Sequence, residues 1–319
     1  MDKLGIYIPT YNRPAELEEC LNSFIPQLKP FGFPIYISDN STNDETEKLV
    51  MKIKKRYPKV YYRKNVYMKY GRVYATNLKS VLEMGNTEFV WFFSDDDVIK
   101  KNAITTIIRF LDNNCFLQLN REDYSKNLKK KIGSRIIKKY KNEIYKNAEL
   151  ALLNTENNEY QGYMAHIIAK KKFVDLEMDS VDITKKNMDF LHTIILYRGI
   201  SIAKSQGVFI AKPLIKNRTD NISYSNRIME IFFRSWDITH NMLEGRYPYK
   251  VIEKVRKRPL KRLVMLIFIS KTTSKNLGYL PYIYNAKVNI FYKVILSLVA
   301  LVPKSIVVII KKKRKQSLN

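Results

Sequence analysis

Phe89-Val90-Trp91-Phe92-Phe93-Ser94-Asp95-Asp96-Asp97 turns from wholly apolar to wholly polar at one point. A short, unbroken apolar run suits a strand covered on both faces. Sheets covered in that way bind ligands beyond the carboxyl ends of their strands. The acids therefore stand where a ligand would meet this strand.

The same alternation repeats upstream. Leu4–Ile8 reads as a buried strand ending at Pro9-Thr10. Leu17, Leu21, Phe24, Ile25 and Leu28 follow a helical period, and Pro14 suits the first turn of that helix. Pro34–Ser38 reads as a second strand. A helix over Asp44–Tyr57 would carry Leu49, Val50, Ile53 and Tyr57 on one side, with Thr42-x-x-Glu45 as a capping box. Val60–Lys64 and Val73–Met84 add a strand and a helix before the opening stretch, and Ile104–Leu111 a helix after it. This pace implies an α/β fold with a mostly parallel sheet flanked by helices and right-handed crossovers. Beyond Asn114 the pattern loosens. Lys126–Lys146 reads as a basic helix or loop, Tyr163–Ile168 and Gly207–Ile210 as strands, and Met188–Tyr197 as a helix.

Three polar loops follow the strands: Pro9-Thr10-Tyr11-Asn12-Arg13, Ser38-Asp39-Asn40-Ser41 and Ser94-Asp95-Asp96-Asp97. Carboxylates crowded at one strand end repel one another and need compensation. Mg2+ or Mn2+ supplies it, commonly through one or two carboxylates and the phosphates of a substrate. Asp97 as a helix cap explains one acid and leaves the other two. Taken singly, Asp39 also fits turn chemistry, and Thr10 and Asn12 also fit helix capping.

Four segments, in order and in spacing, resemble family-2 glycosyltransferases of the GT-A, Rossmann-like fold. They are Ile8-Pro9-Thr10-Tyr11-Asn12-Arg13, Ile37-Ser38-Asp39-Asn40-Ser41-Thr42-Asn43-Asp44, Tyr70-Gly71-Arg72-x4-Asn77 and Trp91-Phe92-Phe93-Ser94-Asp95-Asp96-Asp97. The likeness covers about the first 115 residues. It implies that Pro9, Thr10, Asn12 and Asp39 hold the nucleotide of a sugar donor, with Arg13 and Asp96 in the same loops. It implies further that Asp95 and Asp97 serve ribose and metal, and that Arg72 and Asn77 line the donor site. As a bare residue, Arg72 is more often a solvated helix position; following Gly71 at a strand-to-helix turn, it suits a phosphate contact.

Displacement at an anomeric carbon needs a base for the acceptor hydroxyl. Relatives of this kind carry a Glu-Asp pair before a helix ending in Gly. The corresponding stretch here runs from Lys186 to Gly199, with Lys186-Asn187 in place of the pair. Asp189 is the first choice, Asp182 the second and His192 the third, although His192 also reads as a hydrogen-bonded helix residue. Gly207–Pro213 followed by Arg218-x2-Asn221-x-Ser223 is similar to polysaccharide and O-antigen sugar transferases, which points to a lipid-linked glycan acceptor. An inverting, hexosyltransferase-type reaction with a UDP-linked donor is what the resemblance implies.

Composition bounds the rest. Lys and Arg outnumber Asp and Glu by 57 to 30, for a formal charge of +27. Residues 254–319 hold 16 Lys or Arg and no acid, so much of the excess belongs to the tail. Val288–Ile310 is apolar nearly all round, and Lys311-Lys312-Lys313-Arg314-Lys315 follows. Residues 258–319 therefore suit the surface of an anionic membrane, ahead of a short spanning helix over Val294–Ile310, interrupted by Pro303-Lys304, and of a helix docked on the catalytic domain. Few aromatics accompany the charge for base stacking, so nucleic acid is not expected. Cys20, Cys115, His166, His192 and His240 lack metal-site spacing, and lone cysteines fit a reducing compartment. The expectation is a catalytic domain over 1–250, with a nucleotide half to 115 and an acceptor half over 116–250. A basic tail over 251–319 would lie on the inner face of the plasma membrane, with the catalytic part in the cytoplasm. The rivals are a sugar nucleotidyltransferase, which would need a glycine-rich loop that Pro9–Pro14 lacks, and a non-catalytic basic adaptor for membrane or RNA.

Overall fold

A computed structural model describes residues 1–65, 73–155, 161–184, 188–219, 227–273 and 278–309. Alternating strands and helices open the chain: β1 Asp2–Thr10, α1 Pro14–Leu28, β2 Ile35–Asp39, α2 Glu45–Arg56, β3 Val60–Lys64, α3 Val73–Glu83 and β4 Thr87–Phe92. Then come β5 Val98–Ile99, α4 Ala103–Leu111, β6 Phe116–Tyr124, β7 Lys131–Arg135, β8 Glu143–Tyr145 and α5 Ala148–Leu153. After these the chain forms β9 Ile167–Lys170, α6 Lys171–Ser180, α7 Leu191–Ile202 and β10 Gly207–Arg218.

The strands form one sheet in the order β3-β2-β1-β4-β9-β6-β10-β5, with β7 on β6 and β8 on β10. The parallel arrangement expected from the alternation holds across β3, β2, β1 and β4. Beyond β4 the ladders are mixed: β9 runs antiparallel between β4 and β6, while β10 is parallel to β6. β9 follows β8, α5 and the 3-10 turn Met164–His166, and it enters the sheet running against both β4 and β6.

Period-two alternation splits the core between the two faces of the sheet. Leu4, Ile6 and Ile8 of β1, with Phe89 and Trp91 of β4, pack on α1, α2 and α4. Tyr7, Val90 and Phe92 face α3, α5, α6 and α7. α1 starts at Pro14 and buries Leu17, Leu21, Phe24, Ile25 and Leu28, as its period predicts.

Three local expectations are corrected. Lys126–Lys146 is neither helix nor simple loop, for it supplies β7 and β8. One of its lysines, Lys131, meets acid on the neighbouring strand at Glu122, which also takes Lys100. The capping box is not made: Thr42 turns to Asn12 Oδ1 through its N–H (3.0 Å) and hydroxyl (3.3 Å), and α2 begins at Glu45. The helix holding Gly199 does not end there. It runs to Ile202, and the glycine lets α7 press on the backbone of Phe173 in α6, where an added Cβ would lie 3.2 Å from the carbonyl.

A third core cluster closes the chain. A helical run over 228–243 includes a π-helical turn, Ile231–Ser235, and α8, Trp236–Leu243. α9 Tyr249–Arg256, α10 Leu260–Thr273, α11 Leu280–Asn285 and α12 Ile290–Leu301 follow. Ile228, Met229 and Phe233 pack with Leu263, Leu266 and Ile267 of α10 and Leu296 of α12. Arg258 is buried against Asp237 and the Phe232 carbonyl, fastening this cluster to the body. No helix among the described residues is long and apolar enough to cross a membrane.

Candidate active site

The carboxyl ends of β1, β2 and β4 meet at one edge of the sheet. Parallel register sets Thr10 beside Asp39, and the Asn40 N–H donates to the Thr10 carbonyl at 3.1 Å. Asn12 takes the left-handed conformation (φ 51°), which Asn tolerates better than most residues. That turn aims the Asn12 N–H at Ser41 Oγ (2.8 Å) and its side chain at Thr42. The first two polar loops are thereby sewn together.

Asp39 is fully buried. Its Oδ1 accepts the Ser41 N–H at 2.7 Å and its Oδ2 the Tyr62 hydroxyl at 2.8 Å. Asn77, also buried, donates to the Thr10 carbonyl (3.0 Å) and accepts from Asn65 (3.2 Å). Pro9 pairs with Ser38 in the ladder beneath them. Arg72 and the stretch Tyr70-Gly71 lie outside the described residues, as do Lys186-Asn187, Asn221 and Ser223.

The three acids take three different partners. Asp95 accepts from Thr10 Oγ1 at 2.7 Å and from Arg13 Nη1 at 3.2 Å. Asp96 accepts from the same Arg13 nitrogen at 2.9 Å and from Ser94 Oγ. Asp97 accepts the Tyr163 hydroxyl on Oδ2 (2.8 Å) and the Arg218 N–H on Oδ1 (2.7 Å). Burial and the neighbouring Asp96 raise Asp95 above the ordinary carboxylate range, against the pull of Arg13. For Asp97, burial and Asp96 push the pKa up to about 8. Asp97 does not cap α4, whose N-cap is Asn102.

This arrangement fits a divalent ion that shares its ligands with a substrate. Asp97 faces neutral donors in a desolvated place, so a cation there would return it to the charged form. Among the described residues, no three His, Cys, Asp or Glu converge to hold an ion by themselves. An ion at Asp97 would then draw further oxygens from the ligand, as Mg2+ and Mn2+ commonly do with phosphates.

Of the two supports of Asp97, Arg218 stands in a segment that the sequence singles out, whereas Tyr163 carries no sequence signal. Tyr163 comes from the approach to β9, and the Arg121 guanidinium stacks over its ring at 4.0 Å. Arg218, at the end of β10, also donates through Nε to the Asp96 carbonyl (2.7 Å), through Nη1 to the Lys126 carbonyl (2.5 Å) and through Nη2 to Glu19 (2.5 Å).

The residues weighed as bases fall in two places. Asp189 lies just before α7, gripped by Arg227 (Nη1 to Oδ1, 3.1 Å; Nη2 to Oδ2, 3.3 Å) and by Ser235 Oγ (2.6 Å). His192 has both ring nitrogens engaged: Nε2–H donates to the Gly162 carbonyl at 3.0 Å, so Nδ1 accepts from the Tyr74 hydroxyl. Burial lowers its pKa to about 4. Because Tyr74 and Asn77 share α3, this contact ties the start of α7 to the end of β1. Asp182 is exposed and closes a local turn, accepting from Thr184 N–H and Oγ1.

Residues 5–173, more than half of the chain, match Glycosyl transferase family 2. The chain is 26% identical over 253 residues to the abequosyltransferase RfbV of Salmonella typhimurium, covering 70% of this chain and 69% of that protein. It is 27% identical over 180 residues to the GalNAc(5)-diNAcBac-PP-undecaprenol beta-1,3-glucosyltransferase of Campylobacter jejuni, covering 51% of this chain and 57% of the relative. In fold it resembles S. aureus TarS 1–349 in complex with UDP, with a TM-score of 0.57 at 14% identity over 89% of this chain and 86% of that one.

Proposed function

The chain belongs to glycosyl transferase family 2 and is a glycosyltransferase, and from that premise we propose that it moves a sugar from a UDP-linked donor to a hydroxyl of a lipid-linked glycan, with inversion, at the cytoplasmic face of a membrane. One observation carries the reading: three loop ends meet at the carboxyl edge of the sheet around Asp95, Asp96 and Asp97. Family membership sets aside the nucleotidyltransferase and the non-catalytic adaptor. The UDP held by the TarS neighbour supports the donor, and the undecaprenol-linked substrate in the name of the Campylobacter relative supports the acceptor.

Each residue has a part in this scheme. Asp39 holds the Asn40–Ser41 turn against which the nucleotide rests. Thr10 and Arg13 fix Asp95 toward the ribose, and Asn12 and Asn77 keep the first loop in place. Arg72 would meet the diphosphate. Mn2+ or Mg2+, held by Asp97 with Asp95 beside it, would neutralise charge on the departing diphosphate. Asp189 is the base. Arg227 and Ser235 keep its carboxylate oriented, and it takes the proton of the acceptor hydroxyl. The acceptor oxygen bonds to the anomeric carbon as the bond from that carbon to the diphosphate oxygen breaks, and the nucleoside diphosphate leaves. Residues 1–250 form the catalytic unit.

A panel of UDP-, GDP-, CDP- and dTDP-sugars, each with and without Mn2+, tests the donor by melting temperature and by transfer. A UDP-sugar with Mn2+ should raise the melting temperature most, because a ligand stabilises the state it binds. Asp97→Asn should lower turnover by about 100-fold or more while keeping the fold. Unchanged turnover in that variant removes Asp97 from the reaction.

A further inference from the structure

α12 lies along the outside of the third core cluster. Leu296 is fully buried there, with Tyr292, Val299 and Ala300 packed beside it. On the other side of the helix, Ile290 is 76% exposed, Phe291 64%, Val294 53%, Leu298 61% and Leu301 72%. At 3.6 residues per turn, these side chains fall within an arc of roughly 100° centred opposite Leu296. Lys293 lies on its flank, with its ammonium on the Tyr284 carbonyl at 2.5 Å. The apolar surface continues past Pro303. Residues 304–309 are helical, and Ile306 and Ile309 are exposed. Contiguous apolar surface of this kind marks a docking site.

Charge identifies the occupant. From residue 254 to the end the chain holds 16 Lys or Arg and no acid. A second copy would bring the same positive charge against itself, whereas an anionic bilayer complements both the charge and the apolar arc. α12, at 12 residues, is roughly 18 Å long, against about 30 Å for a hydrocarbon core. It is therefore suited to lie in the plane of the surface.

We propose that the exposed face of α12 seats in the headgroup region of an anionic phospholipid bilayer, with the exposed Lys304 beyond its end on lipid phosphates. The packing then runs from this face back to the site. α10, which joins α12 in the cluster, packs on Ile228 and Met229, and the preceding Arg227 grips Asp189. An acceptor carried on lipid would approach from that side. This last link rests on the sugar-transfer reading; the docking surface does not.

Sedimentation of the full chain with vesicles of phosphatidylcholine, with and without half phosphatidylglycerol, tests the surface. The protein should bind the anionic vesicles at least ten-fold more tightly than the neutral ones, and less tightly as salt rises. The double variant Phe291→Glu/Leu298→Glu should bind the anionic vesicles at least ten-fold less than wild type. Its circular dichroism and its hydrolysis of free UDP-sugar should be unchanged. Phe291→Ser/Leu298→Ser serves in its place if the charged variant does not fold. Variant binding equal to wild type overturns the proposal, as does absence of wild-type binding. A wild-type dimer that the variant makes monomeric, with vesicle binding intact, assigns the face to a second copy. Loss of UDP-sugar hydrolysis in the wild type would instead count against the catalytic reading and leave the vesicle result standing.

Discussion

Tyr163 gives its phenol to Asp97 while Arg121 covers its ring, so a neutral side chain orients a buried acid of the site. Tyr163→Phe removes that partner whichever group holds the proton. The variant should lose about 1–3 kcal/mol of stability, read as a lower urea midpoint with unchanged slope. It should also lower turnover more than it weakens UDP-sugar binding, since the donor contacts proposed for the first two loops remain. At this scale the sequence was only partly legible. Three acids after an apolar strand announce themselves, because strand ends are where ligands bind. Tyr163 does not, since its bond to Asp97 spans 66 positions and no local pattern links them. Asn12 and Thr42 deceive for a related reason. Both are good cap residues, and here each satisfies the other's loop.

Among the elements, the contact between α6 and α7 is set by a missing side chain. Gly199 brings α7 against the Phe173 and Val174 backbone, which cannot give way as a flexible side chain would. Gly199→Leu should force the helices apart and cost roughly 1–3 kcal/mol or more, seen as a lower melting temperature. Because α7 carries His192 and follows Asp189, transfer should fall as well. Gly199→Ala should show a smaller loss of the same sign. The opening elements were readable because strands covered on both faces must be apolar throughout. β7 and β8 were not, because the lysines in and between them look like a solvated run until Glu122 is seen beside Lys131 and Glu143 beside Lys139.

The whole molecule keeps its three histidines inside and neutral. Burial lowers His166 and His240 to about 3 and His192 to about 4, each below the ordinary 6.5. A depressed folded pKa means that the unfolded chain binds more protons below pH 6.5, so stability falls as the medium is acidified. Asp97 and Asp95 act with the opposite sign: raised in the folded chain, Asp97 to about 8, they add stability as the pH falls. The melting temperature should therefore rise from above pH 8 toward 6.5, and the three histidines should then turn it downward toward pH 4. His192→Gln should flatten part of the decline, and an unchanged slope would count against this account. Layering and strand alternation were legible at this scale, whereas the mixed second half of the sheet was not, since its pairings of β9 with β4 and of β10 with β6 join segments far apart in the chain. One long-range tie has a temporal consequence. Arg218 reaches Glu19, the Asp96 carbonyl and Asp97, and β10 pairs with β5 just past the acids. Synthesis proceeds from the N-terminus, so a nascent chain leaving the ribosome carries its acids unbraced until β10 has emerged. Bracing of these acids is thus a late event in biogenesis, waiting on residue 218 of a 319-residue chain.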